Sequence, residues 1–209
     1  MSDADGAETS ATYADGAETS ATYADAPTTA TPSGSGIAVL IAVVLGALVA
    51  VGLGAFGTIH EPQFFSINLA GFSSGLAVKS WLATVAIVLA LFQLASAFAM
   101  YRLIPGGKAP AWIGTAHVWS GRLAVLATVP VAVHCLYALG FQSYNNRVLF
   151  HSLFGCFFYG AFVTKMLLLT RKGLPGWVIP IAGGLVFFGL VYVWLTSALW
   201  FFQTNGITL

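Results

Sequence analysis

The sequence predicts an all-α integral membrane protein, a bundle of five transmembrane helices preceded by a disordered N-terminal tail. Hydrophobic residues make up 58% of the 209 residues, while charged residues make up 7%, against roughly 25% in soluble domains. Polar or Gly/Pro-containing breaks separate continuous apolar runs of at least about 20 residues, the length that crosses a bilayer. The runs do not alternate as barrel strands do, so helices are expected.

The first 35 residues differ from the rest in composition. They hold six of the 7 acidic residues, and the segment ADGAETSATY at 4–13 recurs at 14–23. A repeat of Ala, Thr, Ser, Gly and acids has little apolar surface to bury, so it does not offset its ordering entropy. We therefore expect residues 1–35 to form a disordered acidic low-complexity tail and residues 36–209 to form the transmembrane domain.

Five spans follow in order after the tail. They are predicted at about 36–60, 79–104, 111–140, 149–170 and 176–202. The first span carries Gly46, Ala50 and Gly54 at four-residue spacing, a stripe of small residues suited to close helix packing.

The positions of Lys and Arg predict the orientation of the spans. All 8 basic residues lie from Lys79 onward, and five of them fall on one side of the predicted bundle: Arg102, Lys108, Lys165, Arg171 and Lys172. The Gly-Gly-Lys sequence at 106–108 is read as a tight turn on that side. The positive-inside rule then places the N-terminus in the cytoplasm and the C-terminus outside, in a multi-pass protein of the plasma membrane.

Acidic residues are almost missing from the membrane domain. Glu61 is the single Asp or Glu after residue 35, and it lies at a span end. Carboxylates commonly form the relays of proton- and cation-coupled transporters, so this chain is a poor candidate for that class. Histidines are left as the candidate chemical groups, since all 4 lie in or at the ends of predicted spans.

Two of the histidines are predicted to lie at the same depth. His134 and His151 each lie roughly 13 Å to the outer side of their span midpoints, on sequential helices joined by a short loop. Two level imidazoles facing each other could ligate the iron of a haem b. The competing interpretation is a satisfied interhelical histidine pair without a cofactor.

Neighbouring residues fit the haem interpretation. Gly155 leaves space for a porphyrin edge beside the fourth span, and Arg147 in the outer loop is a candidate partner for the haem propionates. His60, at the end of the first span, could replace either ligand. His117 lies on the inner side and could line a quinone pocket with Arg122.

The stretch from His117 to Gly155 carries a resemblance. His117-Val-Trp-Ser-Gly121-Arg122, followed by His134 and by His151, resembles the H-x3-G-R…H arrangement of cytochrome b561-like and ferric-reductase-like transmembrane domains. This resemblance covers about 40 residues and implies that His134 and His151 hold a b-type haem that passes electrons. The whole chain is also similar to an uncharacterised bacterial family of small five-span proteins associated with Rieske-type iron–sulfur partners.

The predicted function is a membrane-embedded b-type haem protein that relays electrons between membrane quinol and an outer-side redox partner. An electron-transfer subunit is expected rather than a self-contained enzyme. The surroundings are the lipid bilayer, a Rieske-type protein is a candidate partner, and no nucleic-acid partner is expected. The alternative function is a cofactor-free membrane scaffold or an assembly subunit of a larger complex.

Overall fold

The computed structural model describes residues 33–66, 68–103 and 109–209. Within these ranges every regular element is a helix, and five helical segments are long and apolar enough to cross a membrane. The predicted class, an all-α membrane protein with five spans, is confirmed. The repeats of the acidic tail and the turn predicted at Lys108 lie outside the described residues.

The helices differ from the predicted spans mainly at their ends. They are α1 Ser33–Ile59, α2 Gly75–Met100, α3 Ile113–Val133, α4 Asn146–Leu169, α5 Val178–Trp194 and α6 Trp200–Asn205. A π-helical turn, His134–Leu139, continues α3, and a second one, Leu195–Leu199, joins α5 to α6. The second span starts before residue 79 because the Ser74 side chain accepts a hydrogen bond from the Ala77 N–H and so caps α2.

Consecutive spans run in opposite directions, and their connections identify one end of the bundle. The Phe141 N–H, after the third span, donates to the Gly57 carbonyl at the end of α1 over 2.6 Å. The Ser73 N–H, before α2, donates to the Leu209 carbonyl over 2.6 Å. We name this the histidine end, because His60, His134 and His151 all lie near it.

The α1–α4 interface is built on small residues. Gly46 and Gly160 approach so closely that a Cβ on Gly46 would lie 2.5 Å from the Gly160 carbonyl oxygen. A Cβ on Gly160 would lie 2.8 Å from the Ala50 Cβ, and one on Gly54 would lie 3.9 Å from the Cys156 sulfur. The small-residue stripe predicted on the first span therefore lies against α4.

The other helices pack as α2 along α3 and α4 along α5, with α2 also touching α5. A buried cluster joins three of them: Ala86, Ile87 and Ala90 of α2, Phe158 of α4 and Leu190 of α5. Between α3 and α4 the packing is interrupted by a cavity. The Tyr159 hydroxyl of α4 donates to the Thr128 hydroxyl of α3 over 2.9 Å and bridges the two helices there.

Candidate cofactor site

A largely apolar cavity of about 90 Å³ lies between α3, α4 and α5. The third span contributes Thr128, Val131, Ala132, Cys135 and Leu136, and α4 contributes His151, Ser152, Gly155, Cys156, Phe158 and Tyr159. Leu190, Val193 and Trp194 of α5 close it, with Ala83 of α2. Small-molecule sites are usually concave and mostly apolar with a few polar groups, as here, but they enclose about 300–1,000 Å³, so this cavity is smaller than the usual site.

His151 is the histidine on the cavity wall. Its Nδ1 lies 3.1 Å from the Thr196 hydroxyl oxygen. That hydroxyl has the Tyr192 carbonyl 2.8 Å away as an acceptor for its own hydrogen, which leaves its oxygen able to accept a hydrogen bond from Nδ1 of His151. In the tautomer with the proton on Nδ1, the Nε2 atom carries the lone pair that a metal-ligating histidine requires.

Gly155 lies one helical turn from His151 on the same wall. A Cβ built on Gly155 would have no neighbour within 4 Å, so the gap beside the helix is real space. The sequence predicted space beside Gly155 for a porphyrin edge; the space is present, and the porphyrin role stays a prediction.

Arg147 and His151 converge on the same threonine. One guanidinium nitrogen of Arg147 donates to the Thr196 carbonyl over 2.5 Å. The guanidinium carbon also lies 4.0 Å from the ring centroid of Trp200. These contacts hold a positive charge beside His151 at the histidine end.

His134 has different surroundings from His151. Val131 and Cys135 line the cavity, but His134, on another face of the same segment, does not. Its side chain is 5% exposed, its Nδ1 has no hydrogen-bond partner within the described residues, and its ring meets Phe65 edge-on at 5.9 Å. The structure thus places both predicted ligands near one end of the bundle without bringing them together around this cavity.

His60 forms part of an aromatic stack. Its ring lies between Phe56, at 4.9 Å, and Tyr137, at 4.4 Å. Its Nε2 is buried and unpartnered within the described part of the chain. Like His134, His60 is absent from the cavity wall.

His117 belongs to a polar network that joins α2 and α3. Its Nδ1 lies 2.7 Å from the Ser96 hydroxyl, and the Gln93 amide donates both to the His117 carbonyl and to the Ser120 hydroxyl. Arg122 instead lies over the Trp119 ring, 5.1 Å from its centroid. His117 and Arg122 therefore have separate partners, and neither lines the cavity described above.

Several residues of the site were not found by the sequence reasoning. Thr196 was overlooked for two reasons. A single hydroxyl in an apolar span gives no periodic signal, and Thr196 lies 45 residues from its partner His151 in the sequence. The Thr128–Tyr159 bridge was overlooked for the same reason. Both follow from helix packing rather than from local pattern.

Comparison with known proteins identifies the family. Searches of curated proteins and of solved structures gave no match. Residues 39–209, most of the chain, match the model of a family of unknown function, DUF6529. The chain is therefore a member of the DUF6529 family.

Proposed function

We propose that this chain is a membrane-embedded b-type haem protein in which His151 is the axial ligand. One observation carries the proposal: a histidine whose Nδ1 lies in hydrogen-bond distance of Thr196 is on the wall of an apolar cavity between membrane helices. Ligating histidines almost always donate their second nitrogen to a neighbouring acceptor, which fixes ring orientation.

The residues around His151 have the chemistry that a porphyrin needs, but the cavity of about 90 Å³ is smaller than a porphyrin, so haem binding would require α3 and α4 to move apart. The walls are apolar, Gly155 leaves open space one turn along the helix, and Arg147 adds a cation at the histidine end. A bound haem would supply one-electron chemistry. The chain's own groups would bind its iron, orient it and exclude water.

The function proposed for this site is electron relay between membrane quinol and a redox partner. His151 lies in the second turn of α4, close to the histidine end, and we assign that end to the outer side by the positive-inside rule. A Rieske-type protein on that side is the proposed partner. The plasma membrane is the proposed location.

A visible spectrum of the detergent-purified chain tests the proposal. We expect a Soret band that shifts and sharpens on adding dithionite, with haem approaching one per chain. A colourless preparation from haem-replete cells would contradict haem binding and favour the cofactor-free scaffold.

Removing the Thr196 hydroxyl should weaken haem binding. In Thr196→Val, which keeps the shape of the side chain, Nδ1 of His151 loses its acceptor, and haem affinity is expected to fall about 10- to 100-fold. The measurement is a haemin titration of the apo chain. Ser197→Ala is the matched control, because the Ser197 hydroxyl bonds the Val193 carbonyl. Equal affinities in the two variants would show that Thr196 does not support a ligand.

A further inference from the structure

The polar side chains on the cavity wall are already bonded to other protein atoms. The Tyr159 hydroxyl donates to the Thr128 hydroxyl over 2.9 Å, and that hydroxyl donates in turn to the Val125 carbonyl over 2.7 Å. The Trp194 indole N–H donates to the Thr84 hydroxyl over 3.1 Å. All three wall residues thus use their side-chain hydrogens within the protein.

The same holds for the two polar residues at the start of α4. The Ser152 hydroxyl donates to the Gln142 carbonyl over 2.9 Å and accepts from the Gln142 N–H over 3.3 Å. Nδ1 of His151 lies 3.1 Å from the Thr196 hydroxyl. Among the wall side chains in the described part of the chain, this leaves at most one ring nitrogen of His151 and the thiols of two cysteines. Thiols are weak donors and acceptors.

The backbone of the wall also offers little to a water molecule. It is helical apart from Gly140 and Phe141, and the Phe141 N–H already donates to the Gly57 carbonyl over 2.6 Å. Helical N–H and carbonyl groups bond within their own helix. A buried water typically makes two to four hydrogen bonds, and an apolar cavity that cannot supply them stays dry. An apolar molecule therefore suits this cavity better than water.

The volume of the cavity limits the size of that molecule. It is about 90 Å³, roughly three times the share of one molecule in liquid water. An engineered apolar cavity of about 150 Å³ stays dry and binds benzene or xenon. A molecule of a few heavy atoms fits the space as it stands, whereas a larger one requires the helices to move apart.

We propose that the cavity, at the observed separation of its helices, is a binding site for a small uncharged apolar molecule, such as a dissolved gas. Small apolar molecules prefer hydrocarbon to water. The walls belong to spans that are long and apolar enough to cross a membrane, so the bilayer itself supplies the ligand. This inference goes beyond the proposed haem function and concerns the chain without haem.

Xenon is the probe for this site, because it is uncharged, apolar and visible in electron density. In crystals of the full chain pressurised with xenon, we expect one xenon atom in the cavity beside Gly155. Crystals without xenon should show no ordered water there. In detergent solution, xenon should raise the unfolding temperature of the chain, because a ligand that binds the folded state stabilises it.

A pair of glycine variants assigns the effect to the cavity. Gly155→Leu fills the space on the wall, so it should lose the bound xenon and the part of the temperature shift that the cavity causes. Gly183→Leu is the matched control, because a Cβ there also meets nothing within 4 Å, yet Gly183 does not line the cavity. It should keep both. Xenon dissolved in the detergent affects the two variants alike.

Three results would overturn the inference: hydrogen-bonded water in the cavity, no xenon in the cavity of the unchanged chain, or equal temperature shifts in the two variants. If Gly155→Leu does not fold, Ala132→Met, on the wall formed by α3, repeats the comparison. The haem proposal is tested separately. Xenon bound by a chain that takes up no haem supports this inference and contradicts haem binding alone, and haem uptake without xenon binding does the reverse.

Discussion

His151→Ala is expected to abolish the haem spectrum while the bundle stays folded. The substitution removes the imidazole that lines the cavity, so haem affinity should fall by more than about 100-fold, beyond the effect of removing a supporting residue. The measurement is the ratio of Soret to protein absorbance, with size-exclusion elution as the check on folding.

Two further variants test whether His151 alone ligates the haem and whether the space beside it is needed. His134→Ala is the matched control, because His134 lies near the same end but off the cavity wall, and it should keep the haem band. Gly155→Leu keeps His151 yet fills the space beside it, so it should also lose haem. Loss of the band in both histidine variants would restore the bis-histidine arrangement predicted from the sequence and refute ligation by His151 alone.

Gly46→Leu is expected to produce the largest loss of stability. The Cβ of the new leucine would by itself lie 2.5 Å from the Gly160 carbonyl oxygen, so α1 and α4 must separate or distort along their interface. Overpacking typically costs about 1–3 kcal/mol, and contact with backbone raises the cost, so we expect at least about 3 kcal/mol. A large decrease in thermal unfolding temperature in detergent would report it.

Gly52→Leu is the control for Gly46→Leu on the same helix. A Cβ on Gly52 would meet nothing within 4 Å. Both variants replace glycine by leucine and so gain helix propensity, but only Gly46→Leu brings the new side chain into collision with α4. Equal unfolding temperatures for the two would mean that α1 does not pack on α4 through Gly46.

The number and type of elements could be predicted because hydropathy is a local property. Each span is an apolar run long enough to cross a membrane, so counting runs was enough to find the five spans. The ends were less predictable. The cap that the Ser74 side chain provides for α2 lies in a polar loop, where a hydropathy window gives no signal.

The candidate site was predictable only in part. Depth follows from the rise per residue, so His134 and His151 could be placed near one end. The direction in which each side chain points could not be predicted, because that direction depends on how the helix is rotated against its neighbours. The π-helical turn that begins at His134 changes that rotation within the span, and a hydropathy profile contains no sign of it.

The sequence by itself determined a five-span helical protein with almost no acidic residues in its membrane domain and with its candidate chemistry reduced to histidine. Only the tertiary structure decided which histidine lies on the cavity wall and that Thr196 is its hydrogen-bond partner. Apolar length is set residue by residue along the chain. Contacts between residues as distant in sequence as His151 and Thr196 exist only after the helices have packed.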